Sequence, residues 1–160
     1  MSTIEALDHR HLMGHWTTGV SLVTTLADGE PHGCTLNALS SLSLDPPSLI
    51  VCLGETTRTL AAIRRSGRFA VNVLAAEQEP LSRLFADRRL STAERFAAVP
   101  HALAHGVPLV EGCVATAVCE VLEERPLCDH VVVVGRVVHG AVADGGEPLV
   151  YFGGGYRRAA

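Results

Sequence analysis

The period of the apolar positions changes several times along the chain. "IEALDHRHLMGHW" (4–16) places Leu7, Leu12 and Trp16 at helical spacing on one side. "GVSLVTTL" (19–26) is rich in β-branched residues and predicts a strand, and "ADGE" supplies an Asp28-Gly29 hairpin turn. "PHGCTLNALSSLSL" (31–44) predicts the returning strand, which Asp45-Pro46-Pro47 ends because proline cannot donate to a ladder. "SLIVCLG" (48–54) predicts a buried strand, and "TTRTLAAIRRSG" (56–67) a short helix between Thr caps and Gly67. "RFAVNVLA" (68–75) reads as a strand and "EPLSRLFADRR" (79–89) as a helix. Residues 90–111 are expected to be irregular. "CVATAVCEVLEE" (113–124), "DHVVVVGRVVHGAVA" (129–143) and "PLVYF" (148–152) predict a strand-rich C-terminal half, with "GGGYRRAA" (153–160) as a flexible or partner-bound tail. Many strands with few short helices point to an antiparallel barrel rather than βαβ units.

Composition narrows the classes. The 160 residues favour one domain, 1–160, and at 48% apolar the chain can bury a core. With 4% aromatic residues that core is mostly Val, Leu and Ala. The net charge of −4 carries no basic stripe, so no nucleic-acid partner is expected. The longest apolar run, "VVVVGRVV", is short and broken by Arg136, so no membrane span is expected. The charged N-terminal stretch has no secretory h-region, and a cytoplasmic protein is expected. The five cysteines, without a CxxC pair, read as buried thiols in a reducing compartment. His11 and His15 lie one helical turn apart, yet no third ligand is spaced with them, so no metal site is expected.

Two stretches carry chemistry. Thr35, Asn37 and a run of serines give one strand region more hydrogen-bonding side chains than a sheet needs, and Gly33 permits close approach of a ligand or strand. They suit a flat polar heterocycle; the alternative is an edge strand with a solvated face. About twenty residues on, "GETTRTL" opens a helix, where free N–H groups and the macrodipole favour an anion. Thr56, Thr57, Thr59 and Arg58 would complete a phosphate cradle; the alternative is an ordinary Thr cap beside a surface arginine. One stretch would hold a ring and the other its phosphate tail.

"TTGVSLVTT", "PHGCTLNALSSLSLDPPSLIVCL", "SGRFAVNVLAAEQEPLSRLFA", "RF", "DHVVVVGRV" and "PLVYFGGGYR" follow one another in an order that resembles the flavin reductase-like family, from about Trp16 to Arg157. These are FMN-binding split-barrel proteins that include reductase components of two-component flavin monooxygenases. The resemblance implies a mainly β fold with short helices, an antiparallel split β-barrel. It implies that Thr35, Leu36, Asn37, Ala38, Ser41 and Ser43 line the isoalloxazine and ribityl, with Cys52 continuing the wall. Thr57, Arg58 and Thr59 would take the phosphate. Asn72 and Gln78 stand at family-like positions, Asn72 equally as a satisfied strand residue. The family's G-D-H becomes Cys128-Asp129-His130, with His130 implied beside the nicotinamide and Cys128 where glycine is usual. Tyr156 and Arg157 match the tail and point to ligand or a second subunit.

The implied activity is transfer of hydride from NADH or NADPH to FMN or FAD, with reduced flavin diffusing to a separate monooxygenase. A homodimer is also implied. No GxGxxG motif follows a strand, so no Rossmann nicotinamide site is expected. The alternatives are a tightly flavin-binding electron-transfer or pyridoxamine-phosphate-oxidase-like protein, and a non-catalytic flavin carrier.

Overall fold

The computed structural model describes residues 4–159; Met1 to Thr3 and the end of the tail, Ala160, lie outside it. In chain order the elements are α1 (Ala6–Gly14), β1 (Thr18–Gly19), β2 (Ser21–Ala27), β3 (Glu30–Leu36), β4 (Leu39–Leu44), β5 (Pro47–Gly54) and α2 (Arg58–Ser66). There follow β6 (Arg68–Val73), a 3₁₀ turn (Ala76–Gln78), α3 (Glu79–Ala86), α4 (Thr92–Ala97), β7 (His101–Ala104) and β8 (Val107–Val110). The chain closes with β9 (Ala115–Leu127), β10 (His130–Val142), β11 (Leu149–Phe152) and β12 (Gly155–Arg158). Every named ladder is antiparallel.

Seven strands form the main sheet in the order β3-β2-β6-β9-β10-β5-β4. Its two edge strands, β3 and β4, are separated in sequence only by Asn37 and Ala38. Six interstrand gaps at the usual spacing would set the edges of a flat sheet roughly 29 Å apart. The three peptide steps from Leu36 to Leu39 reach roughly 11 Å. The sheet must therefore curl until its edges almost meet. Among the described residues no ladder joins β3 to β4, so the curl is split at that seam. The expected single strand over 31–44 is thus two strands on opposite edges, and the crossover between them is the polar stretch that stood out in the sequence.

Turn chemistry fixes the hairpins. Asp28-Gly29, His105-Gly106 and Gly153-Gly154 all have positive φ at both central positions, the backbone that matches strand twist. Helix α2 begins at Thr57, whose hydroxyl accepts from Leu60 N, and ends at the left-handed Gly67, as the sequence predicts. It buries Leu60 and Ile63 against Val23, Val51, Phe69 and Val133, and Ala62 is buried as well. A second cluster, with Leu22, Leu74, Phe85, Phe96 and Leu149, lies beneath α3 and α4.

Three further sequence expectations are corrected. Residues 90–111 are ordered into α4 and the β7–β8 hairpin, because Ser91 and Glu94 form a reciprocal capping box that starts a helix. The tail turns back at Gly153-Gly154 and pairs as β12 on β11. Strand β5 is not uniformly buried: Val51 and Leu53 point into the core while Ile50 and Cys52 face outward toward open space. The helix expected at the N-terminal end is present as α1; it buries none of its residues and leaves Leu7, Leu12 and the following Trp16 exposed.

Candidate functional site

The split seam opens into a cavity of about 680 Å³. Its walls are the end of β3 (Cys34, Thr35, Leu36), the crossover Asn37-Ala38, the end of β5 (Cys52, Leu53, Gly54) and the start of α2 (Thr57, Arg58, Thr59). Phe85, Arg88 and Arg95 from the α3–α4 region close one side, and Asp129 and His130 from the β9–β10 turn another. A second cavity of about 630 Å³, lined by Trp16, Thr18, Ile50 and Val73 among others, adjoins it. Asn37, Ala38 and Cys52 belong to both walls. Each volume falls in the range of small-molecule sites.

The register explains this convergence. His130 pairs with Gly54, and Glu55 N donates to Asp129 O at 3.1 Å, so the β9–β10 turn is fastened beside the α2 start. Cys52 N donates to Ala38 O at 3.0 Å, holding the crossover against β5. Asn37 Nδ2 donates to Thr18 Oγ1 at 3.2 Å, tying it to β1.

Ten of the sequence-predicted residues share the larger cavity: Thr35, Leu36, Asn37, Ala38, Cys52, Thr56, Thr57, Arg58, Thr59 and His130. Their polar groups are partly engaged. The Thr35 hydroxyl donates to Ser82 O at 2.6 Å and docks α3 on β3. Thr57 caps α2, Arg58 Nη2 donates to Leu90 O at 2.7 Å, and Thr59 is buried. His130 Nδ1 lies 2.8 Å from Asp129 Oδ1, a contact that fixes the ring and holds the Asp129 carboxyl below its usual range.

Five predicted residues lie elsewhere. Asn72 is wholly buried; its amide donates to Leu22 O and Thr24 Oγ1 and accepts from Val110 N, so it clamps β2, β6 and β8 together. The Ser43 hydroxyl and the Asp45 backbone bond each other at the β4–β5 turn. Ser41 is exposed on β4 beside a register shift. Tyr156 bonds Ser82 at 2.8 Å under the Arg83 guanidinium, and Arg157 donates to its neighbour's carbonyl. Gln78 is likewise structural: it accepts from Ala75 N and donates to Glu111 O. Gly33 is approached not by ligand space but by Phe85, whose ring lies 3.0 Å from where a Cβ would stand, and, as the strand alternative expected, by β2, whose Val23 O lies 3.1 Å away.

Arg88 and Glu55 were not singled out from sequence, and Arg95 only as part of the family-like "RF", with no role given to it. The Ser91/Glu94 capping box could have placed Arg95 on a helix, but nothing in the spacing says that α4 packs beside β3.

A model of the flavin reductase like domain matches residues 13–160. The chain belongs to this family. An NADH-dependent flavin reductase of a Rhodococcus species is 35% identical over 157 residues, covering 96% of this chain and 86% of the relative. The reductase component of a 4-nitrophenol 4-monooxygenase/4-nitrocatechol 2-monooxygenase from Rhodococcus opacus is 36% identical over 155 residues, covering 96% and 81%. Among solved structures, the NADH:FAD oxidoreductase SgcE6 of Streptomyces globisporus C-1027, in complex with NAD and FAD fragments, superimposes with a TM-score of 0.90 at 32% identity over 100% of this chain and 98% of that one. The family assignment agrees with the curled, mostly β architecture.

The cavity suits the group the family handles. Its lining brings together three cations, Arg58, Arg88 and Arg95, two carboxylates, Glu55 and Asp129, the Asn37-Ala38 crossover and the apolar Leu36, Leu53 and Phe85.

Proposed function

We propose that this family member is an NAD(P)H:flavin oxidoreductase that supplies reduced flavin to a separate monooxygenase. What supports the reading is one cavity that joins the Asn37-Ala38 seam, the capped start of α2 and the His130 turn. The nicotinamide and flavin rings supply the hydride chemistry when bound; the chain contributes position and charge. Asn37 and the crossover backbone hold the ring edge at the seam. Thr57, Arg58 and the free N–H groups of α2 hold the phosphate. Leu36, Leu53 and Phe85 exclude water from the walls. Asp129 fixes His130, which orients the nicotinamide. FMN or FAD, and NADH or NADPH, enter this groove together.

We also propose a homodimer and a cytoplasmic setting. Leu7, Leu12, Trp16, Leu44 and Val142 are exposed, with Leu44 at 89%, more apolar surface than a lone chain usually leaves in water. Among the described residues no helix is long and apolar enough to cross a membrane.

The deciding assay mixes purified protein with NADH or NADPH and FMN, FAD or riboflavin and follows the nicotinamide absorbance. Flavin-dependent loss of that band is expected, with the protein itself nearly colourless. A yellow protein that oxidises NADH slowly would be a resident-flavin carrier, and flavin binding with no NADH oxidation would overturn the reductase reading.

A further inference from the structure

We propose that His105 and His139 form a site for a divalent transition-metal ion of the Zn2+ or Ni2+ kind, which staples the β7–β8 hairpin to β10. Neither residue lines either cavity, so the site stands independently of the flavin reading. The hairpin packs on the outer face of the main sheet, where Val107 of β8 is buried with Ala70 of β6 and Val118 of β9. His105 is the first central residue of its turn, at φ 54°, a position that Asn, Asp or Gly ordinarily takes. Its carbonyl accepts from Arg68 Nη1 at 3.0 Å, which holds the turn down on the sheet. His139 reaches the same place through a bulge. Gly135 and Val137 face the Phe69 side of the sheet, and strict alternation would send His139 there too. The register shift at Val138 turns it to the opposite face, across from Val118. The two imidazoles, far apart in sequence, then stack with centroids 3.9 Å apart and planes 27° from parallel.

Both rings are exposed, so an ion in solution reaches them. Among the described residues the histidine rings that hydrogen-bond are those of His15, His101 and His130, which leaves the nitrogens of His105 and His139 free. The spacing suits a shared ion. Zn–N bonds are about 2.0–2.1 Å, so two of them reach across about 4 Å, and small rotations of exposed side chains bring one nitrogen of each ring onto one ion. Imidazole donors select Zn, Ni and Cu over Mg or Ca. Among the described residues no third His, Cys, Asp or Glu completes a group of three, so water fills the remaining positions and the affinity is modest. Nearby charge opposes the ion only weakly. Arg68 and Arg136 both bond the Glu120 carboxylate, at 2.7 and 2.6 Å, which offsets one of their two charges, and water screens the rest. The helical pair His11 and His15 is a poorer chelate: its rings stand edge-on with centroids 5.0 Å apart, and one His15 nitrogen is taken by His11 O.

The test labels the untagged full chain with nitrogen-15 and follows the imidazole signals of its eight histidines by NMR as Ni2+ is added below one equivalent. Paramagnetic broadening should strike His105 and His139 together, ahead of all the others. Broadening that begins at His11 and His15, or that affects every histidine alike, overturns the site. Calorimetric titration with Zn2+ gives a second readout. His139→Phe keeps a flat ring on His105 and removes the ligand. It should bind Zn2+ at least about tenfold more weakly than wild type, since losing a mere supporting partner of a ligand already costs about 10–100-fold. His105→Asn, which the left-handed turn position accepts, should weaken binding as much. Mg2+ should bind to none of the three. Zn2+ affinity unchanged in His139→Phe, no Zn2+ binding in wild type, or Mg2+ binding equal to that of Zn2+ refutes the proposal.

Discussion

Cys128 occupies left-handed backbone at φ 56°, in the turn that delivers Asp129 and His130 to the cavity. A side chain there costs about 1–2 kcal/mol, and glycine's extra freedom in the unfolded chain returns about half of that. Cys128→Gly should therefore stabilise the protein by about 0.5–1 kcal/mol in chemical denaturation; a loss of stability would show that the thiol makes contacts the turn depends on. His32 gives a pH prediction. Its half-buried ring, with Nδ1 unpartnered among the described residues, is held below the ordinary 6.5 by burial first and then by the Arg65 charge. Arg58 adds in the same direction, while Glu30 and Asp28 oppose it. In this pH region the unfolded chain binds more protons than the folded one. The contribution of His32 is thus fully present above pH 6.5 and is lost as pH falls through 6.5 toward the lowered folded value. Stability measured across that window should decline in wild type and decline less in His32→Val. Parallel curves would remove His32 as the cause.

The elements show why some of the fold could be read from sequence. Helix α2, from Thr57 to Gly67, announces itself because its cap, its apolar stripe and its terminator are all local. The Asp28-Gly29 hairpin does so for the same reason. The division of 31–44 into β3 and β4 is not local: Asn37-Ala38 looks like strand, and only closure of the sheet makes it a seam. Asn72 is ambiguous in the same way, because its partners Leu22, Thr24 and Val110 lie far away in sequence. The place of Arg95 in the cavity was out of reach since the contact of α4 with β3 is a matter of topology. Gly135 illustrates a tertiary constraint of this kind in β10. A Cβ there would stand 2.6 Å from Phe69 Cζ and 2.8 Å from Cys119 Cβ, both in a fully buried layer. Gly135→Ala should destabilise the protein by about 1–3 kcal/mol, as overpacking does, with β10 shifted off β9. Unchanged thermal stability would mean that the Phe69 ring has room to move.

At the scale of the whole molecule, curling a seven-stranded sheet until its edges nearly meet creates one long seam, and the chain places its polar crossover, its capped helix and its His130 turn along it. Apolar side chains on α1, β4 and the end of β10 remain outside. Light scattering coupled to size exclusion should therefore give twice the 16.9 kDa chain mass; a monomer at micromolar concentration would leave that surface unexplained. The central claim is that the seam grips a flavin by ring and phosphate together. A crystal structure of the protein with bound FMN tests it most directly. The account predicts the ring against Asn37-Ala38 and the phosphate at Thr57, Arg58 and the start of α2. A flavin bound elsewhere, or a saturated crystal with this groove empty, would contradict it.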